Sequence, residues 1–385
     1  MPWKVSGVSD VRFALCHQVR VLGRPVAAAA RDFGVSRKTA HKWLTRFDPQ
    51  AGAACAAAAM GDRSRRPRAS PARVGENVEA AVLAIRDRFG WGPRKIHAVM
   101  RRERFDPLPA LRTVANVLRR NGRVDGPAPA PTEPQRFERG APNELWQVDH
   151  KGPIEVGVGG SRQRITPLSV IDDHSRYALA FAPTTDRTMA TTFAALWDLF
   201  GEVGLPQAIL CDNAFGSLGR PGLSAFDAKL IRLGIRPLHG RPYHPQTQGK
   251  VEAFHGSVVR ELVNRHARLD DAEHFAADCE AWRLVYNTQR PHEGLGDDVP
   301  VSRWRPSDRR RPAALPEVAY EPGAVLRKVA SPGLVRWRTA RISVGHGLIG
   351  QWVRVREDDG GVTIDYADCP VRHLRPAQLT SDHVV

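Results

Sequence analysis

The stretch ELWQVDHKGPIEVGV, residues 144–158, begins the region whose order of elements decides the fold. It is the first of three strand-like runs, and RITPLSVIDDHSRY (164–177) and ALAFAP (178–183) are the next two. A helical pattern from about Met189 to Phe200 and the short apolar strand QAILCDN (207–213) follow. A meander of three strands, followed by alternating helices and strands, predicts an α/β sandwich.

The rest of the central region continues this alternation. KLIRLGIRPLHG (229–240) predicts the end of a helix and a strand, and HFAADCEAWRLVYN (274–287) predicts a helix. Between them, HPQTQGKVEAFHGS (244–257) changes from turn formers to the spacing of an amphipathic helix. The full order is that of a ribonuclease H-like catalytic core, which we place at residues 144–305.

Three carboxylates in this core are candidate catalytic residues. Asp149 lies within the first predicted strand and Asp212 at the end of the fourth, and we expect these strands to be neighbours. The helix beginning near residue 249 has one apolar stripe, formed by Val251, Phe254, Val258 and Leu262. Because that stripe packs on the sheet, Glu252 in the first turns faces the two aspartates.

Carboxylates brought together in this way repel one another and raise one another's pKa, so cations must occupy the gap. Hard oxygen ligands favour Mg²⁺, for which Mn²⁺ substitutes. Two such ions can hold the attacking and leaving oxygens of an in-line phosphoryl displacement. The set therefore predicts nuclease and strand-transfer chemistry with two metal ions per active site.

The composition indicates a globular protein of several domains. The chain has 385 residues, of which 42% are hydrophobic and 25% charged. It has no apolar stretch long enough to cross a bilayer, and its first residues lack the pattern of a signal peptide, so we expect a cytoplasmic protein without a membrane partner. The five cysteines are scattered, which argues against a disulfide framework and a zinc ribbon.

The positive charge is concentrated at one end of the chain. Residues 1–140 contain 27 Lys and Arg against 12 Asp and Glu, whereas residues 141–315 contain 21 of each kind. Such a concentration indicates a polyanion partner, since neutralised phosphates release counterions. The alternative is that the charge serves solubility alone.

This basic arm contains two helix-turn-helix patterns. In RPVAAAARDFGVSRKTAHKWLTRF (24–47), Pro25 opens a helix, Gly34 ends it in a left-handed turn, and Ser36 caps the next helix. The side of that second helix opposite its apolar residues is predicted to contact DNA. It carries Arg37, Lys38, Thr39, His41, Lys42 and Arg46.

The second pattern is GPRKIHAVMRRERFDPLPALRTVANVLRRNG (92–122). Its two apolar stripes follow helical spacing, and a glycine ends it. The predicted DNA contacts here are Arg94, Lys95, Arg112 and Thr113. A helical pair without a DNA-binding role is the alternative for each pattern taken alone.

Proline-rich and basic stretches predict the remaining boundaries. Short strand-like runs after residue 323, among them WRTARISV (337–344), predict a small β-barrel, which either binds nucleic acid or braces an assembly. The division is a helix-turn-helix domain at 1–50, a linker at 51–71, a second helix-turn-helix domain at 72–123, a proline-rich linker at 124–143, the core at 144–305, a linker at 306–322 and the barrel at 323–378.

Five stretches resemble, in order, the signature stretches of DDE transposases of bacterial insertion sequences, which share the retroviral-integrase core. They are LWQVDHKGP, IDDHSRY, LCDN, RPYHPQTQGKVEAFHG and YNTQRPHEGL. The resemblance implies that Asp149, Asp212 and Glu252 form the metal-binding triad. It also places His244, Gln246 and Lys250 beside the site and near DNA. Asp172 and Asp173 occupy a position that is not catalytic in the family, and we expect them to be structural.

The sequence departs from the family pattern in three places. Thirty-nine residues separate Asp212 from Glu252, a few more than is usual, and SLGRPGL (217–223) is the apparent insertion. Ala214 replaces a common glycine, and Ala253 replaces a more usual basic residue. Because the three acids are intact, we expect an active enzyme.

The leading hypothesis is therefore a transposase that binds the terminal inverted repeats of its element, cuts the strands and joins them to target DNA. Its partners would be double-stranded DNA at the element ends and at the target, and a homodimer or homotetramer would hold both ends. A sequence-specific DNA-binding repressor with an inactive core is the alternative. A retroelement integrase is a third hypothesis, weakened because the sequence shows no convincing zinc-binding module at its start.

Overall fold

The structure is a computed structural model that describes residues 7–50, 59–62, 73–124, 138–158, 162–212, 222–240, 249–265 and 267–379. The chain divides into two compact units, Met1–Arg73 and Val74–Val385. Every helix within the described ranges is too short or too polar to cross a membrane. The predicted linkers at 51–71 and 124–143 lie largely outside the described residues.

The first unit contains three helices, α1 (Val8–Arg20), α2 (Val26–Asp32) and α3 (Arg37–Leu44). Gly34 takes the left-handed conformation between α2 and α3, with a φ of 65°. The Ser36 hydroxyl accepts the backbone N–H three residues later at 3.1 Å, which satisfies one of the free donors at the start of α3. The turn and the cap predicted from the sequence are thus confirmed.

Apolar residues of the three helices form one core in this unit. They include Leu15, Cys16, Ala30, Ala40, Trp43, Leu44 and Phe47. On the other side of α3, Arg37, Lys38, His41 and Lys42 are exposed, while Thr39 and Arg46 are half-buried. The helix therefore has the buried and exposed faces that its spacing predicts.

The second unit begins with a helical module, residues 74–124. Its helices are α4 (Glu76–Phe89), α5 (Pro93–Arg102) and α6 (Leu111–Arg120). The predicted apolar stripes of α5 and α6 are buried against α4. Residues 103–110 connect α5 to α6, and this connection is longer than the about three to four residues of a helix-turn-helix.

The central sheet has the strand order β5–β4–β1–β6–β7. The strands of the core are β1 (Trp146–His150), β2 (Ile154–Val156), β3 (Gln163–Ile165), β4 (Leu168–Asp172), β5 (Ala178–Ala182), β6 (Ala208–Cys211) and β7 (Arg236–His239). β1, β4 and β5 form the antiparallel meander, and β6 and β7 add to β1 in parallel. This is the mixed sheet of a ribonuclease H-like core.

The prediction of one strand over residues 144–158 is wrong in detail. The run divides into β1 and β2, and β2 pairs with β3 in a separate two-stranded ribbon. Gly152 and Pro153 lie at the break. Proline has no N–H to donate to a ladder, so the strand cannot continue through this position in the central sheet.

Helices cover both faces of the sheet. On one face lie α7 (Met189–Val203) and α8 (Ala225–Arg232), packed on β1 and β6. On the other lie α9 (Gly249–Ser257), the π-helical turn Val258–Val263 that continues it, and α10 (Ala272–Thr288). The stripe predicted for α9 is confirmed, since each of its four residues is at most 1% exposed.

A C-terminal β module, residues 323–379, completes the second unit. Its strands are β8 (Leu326–Lys328), β9 (Leu334–Trp337), β10 (Ala340–Ser343), β11 (Trp352–Asp358), β12 (Gly361–Tyr366) and β13 (Cys369–Leu374). They form a four-stranded sheet, β13–β12–β11–β8, and the β9–β10 hairpin. The predicted single strand WRTARISV instead contains the hairpin turn, where Arg338 has a φ of 53°.

Candidate active site

Two of the predicted carboxylates lie at the ends of neighbouring parallel strands. β1 and β6 pair in parallel, and Val148 is the partner of Cys211. Asp149, within β1, and Asp212, just beyond the end of β6, directly follow these two residues in the chain. Because hydrogen-bonded strands lie about 4.8 Å apart, the sheet holds the two aspartates side by side.

The helix α9 brings the third carboxylate to the same edge. The Val251 N–H donates to the side-chain oxygen of Gln147 on β1, at 3.3 Å. One turn later, Nδ1 of His255 lies 3.8 Å from Oδ2 of Asp149. Glu252 lies between these two contacts, and residues three apart share a helix face, so its exposed side chain is on the side of Asp149.

The charges of the three acids act on one another. Burial raises the pKa of Asp149 to about 6, and repulsion from Asp212 and Glu252 adds to this effect against a hydrogen bond from the His150 N–H. A divalent cation would relieve that repulsion, and carboxylate oxygens are the ligands it prefers. The donor set therefore fits Mg²⁺ or Mn²⁺ by its chemistry.

The three acids lie near one another, but their side chains are not arranged to bind a metal ion. In the described part of the chain, no three His, Cys, Asp or Glu side chains are arranged so that they could hold a metal ion. Asp149 and Asp212 are held by the sheet, whereas Glu252 depends on the placement of α9. How well the three carboxylates can bind a cation therefore depends on the position of α9.

A neutral histidine closes one side of the site. Burial lowers the pKa of His255 to about 4, and the charges of Lys151 and His150 add to the effect. Its Nε2 lies 2.9 Å from the Ser169 hydroxyl on β4. His255 is therefore uncharged at neutral pH and does not compensate the charge of Asp149.

A hydrogen-bonded histidine and aspartate, which the sequence analysis did not predict, lie beside Asp212. Nε2 of His239, at the end of β7, is 2.9 Å from the buried carboxylate of Asp227 on α8. The hydrogen bond to Asp227 raises the pKa of His239 although burial opposes it. Nδ1 of His239 lies 3.4 Å from the backbone oxygen of Asp212. A polar residue at the end of the strand next to β6 was the available sequence signal.

The start of α9 is fixed by an internal ion pair. Lys250 Nζ lies 2.6 Å from Oδ1 of the fully buried Asp173. The same carboxylate oxygen accepts a hydrogen bond from the amide of Gln147 at 2.8 Å. Asp172 is also buried and accepts from the backbone N–H groups of Asn143 and Ser175. Both aspartates thus have the internal contacts expected of structural residues.

The predicted DNA contacts are distributed over several surfaces. Arg112 is exposed and Thr113 half-buried at the start of α6. Arg94 and Lys95 instead have carboxylate partners within the second unit, as does Lys250. His244 and Gln246 lie outside the described residues. The DNA-binding roles of all these residues, including those on α3, stay predictions.

Comparison with known proteins finds matches to the central region of the chain. Residues 139–245 and 233–300 each match a family model described as an integrase core domain. An uncharacterized 31.7 kDa protein of insertion element IS407 from Burkholderia multivorans is 25% identical over 236 residues, which is 59% of this chain and 80% of that protein. The transposase for transposon Tn552 from Staphylococcus aureus is 22% identical, covering 43% of this chain and 38% of that protein.

Viral proteins also match part of the chain. The Gag-Pro-Pol polyprotein of squirrel monkey retrovirus is 31% identical over 129 residues, but the chain spans only 6% of that polyprotein. The HTLV-2 integrase catalytic core domain in complex with magnesium superimposes with a TM-score of 0.31 and 18% identity, covering 43% of this chain and 97% of that domain.

Proposed function

We propose that the protein is a DDE transposase of a bacterial insertion sequence, on the premise that residues 139–245 and 233–300 match integrase core family models and that the chain is similar to an insertion-element protein and a transposase. It binds the terminal inverted repeats of its element, cleaves DNA strands there and transfers them to target DNA. Double-stranded DNA is the substrate, and a homodimer or homotetramer holds the two ends.

Asp149, Asp212 and Glu252 would hold a pair of Mg²⁺ or Mn²⁺ ions, which supply Lewis-acid stabilisation of the attacking and leaving oxygens. The protein's own contribution is placement. The sheet fixes Asp149 and Asp212, and α9 presents Glu252 from the side. His255 stays neutral beside Asp149. The exposed basic face of α3 supplies the contacts to the element ends.

One observation carries the proposal more than any other. Asp149 and Asp212 follow paired residues of neighbouring parallel strands, and α9 places Glu252 on the side of Asp149, although the three residues are distant in the chain. Burial raises the pKa of Asp149, and the charges of Asp212 and Glu252 add to this. A fold that needed only stability would not gather three acids at the end of a sheet. The arrangement is favourable once cations occupy the site.

The test is cleavage of labelled duplexes that carry the native ends of the element. We expect nicking in Mg²⁺ by the wild type and at least about a thousandfold slower nicking by Glu252→Gln, because the change removes a metal ligand while keeping its size. End binding should remain close to the wild type. Glu202→Gln, which removes an exposed acid at the end of α7, is the control and should cleave normally.

The repressor hypothesis is kept as the second candidate because the described residues contain no finished metal site. A repressor would shift the end fragment in a binding assay and leave it intact in every divalent metal. Cleavage by Glu252→Gln at the wild-type rate would instead show that Glu252 is not a catalytic residue.

A further inference from the structure

A buried group of polar side chains joins the helical module to the helix that carries Glu252. Its centre is Glu261, in the π-helical turn that continues α9. Arg290, from the YNTQRPHEGL stretch, donates to both oxygens of Glu261 at 2.9–3.1 Å. From the helical module, Trp91 donates its indole N–H at 3.1 Å and Lys95 its ammonium at 2.8 Å. These residues, together with Ser257, form what we name the Glu261 cluster.

The cluster extends by hydrogen bonds to the residue after Glu252. Nη2 of Arg290 donates to the Ser257 hydroxyl at 2.9 Å. That hydroxyl donates in turn to the backbone oxygen of Ala253 at 3.0 Å. A continuous path therefore runs from Lys95 in the helical module to the peptide beside Glu252. The π-helical turn, a rare feature that often occurs at functional sites, lies along this path.

The cluster is a costly way to join two parts of a protein. Glu261 and Arg290 are 8% and 7% exposed, and two cations share one carboxylate. Burial lowers the pKa of Lys95 to about 8, and the charge of Arg290 adds to this although Glu261 opposes it. Apolar residues of similar volume would give equal or better stability at such a place. A network of this kind fixes one arrangement instead.

We propose that the Glu261 cluster positions Glu252 to bind its divalent cation. The helical module thereby helps to form the active site. The inference rests on the proposed function and deepens it. The sheet fixes the positions of Asp149 and Asp212, whereas the position of Glu252 depends on that of α9. The cluster holds α9 from the end opposite to the Lys250–Asp173 ion pair. Lys95, Glu261 and Arg290 are thus positioning residues.

Binding of Mn²⁺ to the full-length protein tests this without DNA or catalysis. Loss of the electron paramagnetic resonance signal of free Mn²⁺ gives the dissociation constant. We expect Lys95→Met to raise it by at most about 10-fold, the lower limit for loss of a direct outer-shell contact, because Lys95 acts on Glu252 through several hydrogen bonds. Lys95→Arg should keep it within about twofold of the wild type. Glu252→Gln is the reference for loss of a ligand.

Arg94→Ala is the matched control. Arg94 is the neighbour of Lys95 and contacts the same region, since its guanidinium pairs with Asp297 at 3.0 Å and with Glu293. Its ion pairs lie outside the path to Ala253, so the affinity for Mn²⁺ should not change. Melting temperatures of both variants show whether either merely loosens the fold.

Two results would overturn the inference. One is wild-type affinity for Mn²⁺ in Lys95→Met, and the other is an equal loss in Lys95→Met and Arg94→Ala. A wild-type protein that binds Mn²⁺ through Glu252 but never cuts DNA refutes the proposed function alone, because the order of affinities still decides the positioning role. A wild-type protein that binds no Mn²⁺ refutes both.

Discussion

Glu261 shows how a single buried carboxylate links the stability of this protein to pH. Burial alone would raise its pKa, but the charges and hydrogen bonds of Arg290 and Lys95 outweigh burial and lower it from 4.5 to about 2. A depressed pKa means that the ionised group stabilises the fold above pH 4.5 and that this contribution is lost as the pH falls towards 2. The neighbouring His292 stays neutral in that window, because burial lowers its pKa to about 2 as well.

Replacing Glu261 by glutamine tests this contribution. At pH 7, Glu261→Gln should lower the free energy of unfolding by about 3–5 kcal/mol, because the buried Arg290 and the half-buried Lys95 lose their counter-charge. Between pH 4.5 and 3 the variant should lose less stability than the wild type, since it has no carboxylate there to protonate. Urea unfolding followed by circular dichroism at pH 7, 4.5 and 3 measures the two effects. Equal losses in wild type and variant over that range would contradict the assignment, and Glu202→Gln should follow the wild type.

The sequence predicts helices and strands correctly where one periodic pattern covers a whole element. The apolar stripe of α9 and the cap of α3 lie where their spacing predicts, because each is decided within a few residues. The strands at 144–158 and 337–344 were misread, since a proline and a left-handed arginine interrupt otherwise strand-like runs. Apolar composition does not register such single-residue breaks.

The proposed site and its surroundings differ in how far the sequence predicts them. Asp149 and Asp212 lie at the ends of paired strands and Glu252 near the start of α9, so the predicted fold places the elements that carry them side by side. Trp91 and Glu261 are 170 positions apart, and no local pattern links them. Side-chain pairings of this kind depend on how modules pack, which one sequence does not reveal.

The exposed face of α3 allows a prediction at the scale of one element. Lys38 is exposed near the start of this helix, where a phosphate contact would release one counterion. For Lys38→Ala, the slope of log affinity for an end duplex against log salt concentration should fall by about one. Fluorescence anisotropy over a NaCl series measures it. Arg20→Ala removes an equal charge from the end of α1 and should keep the wild-type slope; equal slopes for all three proteins would exclude α3 from the interface.

At the scale of the second unit, the β module is packed onto the α/β core. Its apolar core includes Ala228 and Ile231 of α8. The backbone of Leu223 makes two hydrogen bonds to the module: its N–H donates to the oxygen of Val344 at 3.0 Å, and its oxygen accepts from the N–H of Gly347 at 3.1 Å. Leu223 is the last residue of the apparent insertion SLGRPGL, so that stretch ends at this contact. These contacts favour the bracing role among the two left open for the module.

Gly347 is the place where this bracing can be tested. A Cβ there would lie 2.0 Å from the carbonyl carbon of Ser224 and 2.2 Å from the nitrogen of Ala225, and backbone atoms cannot rotate away. Gly347→Ala should therefore force the module away from the core, lowering the free energy of unfolding by about 1–3 kcal/mol and speeding hydrogen exchange at the Leu223 amide. Gly152→Ala is the control, because its Cβ would meet nothing within 4 Å. Since the φ of Gly347 lies outside the left-handed region, backbone strain does not contribute, and unchanged exchange at Leu223 in Gly347→Ala would show that the two parts are not braced through this contact.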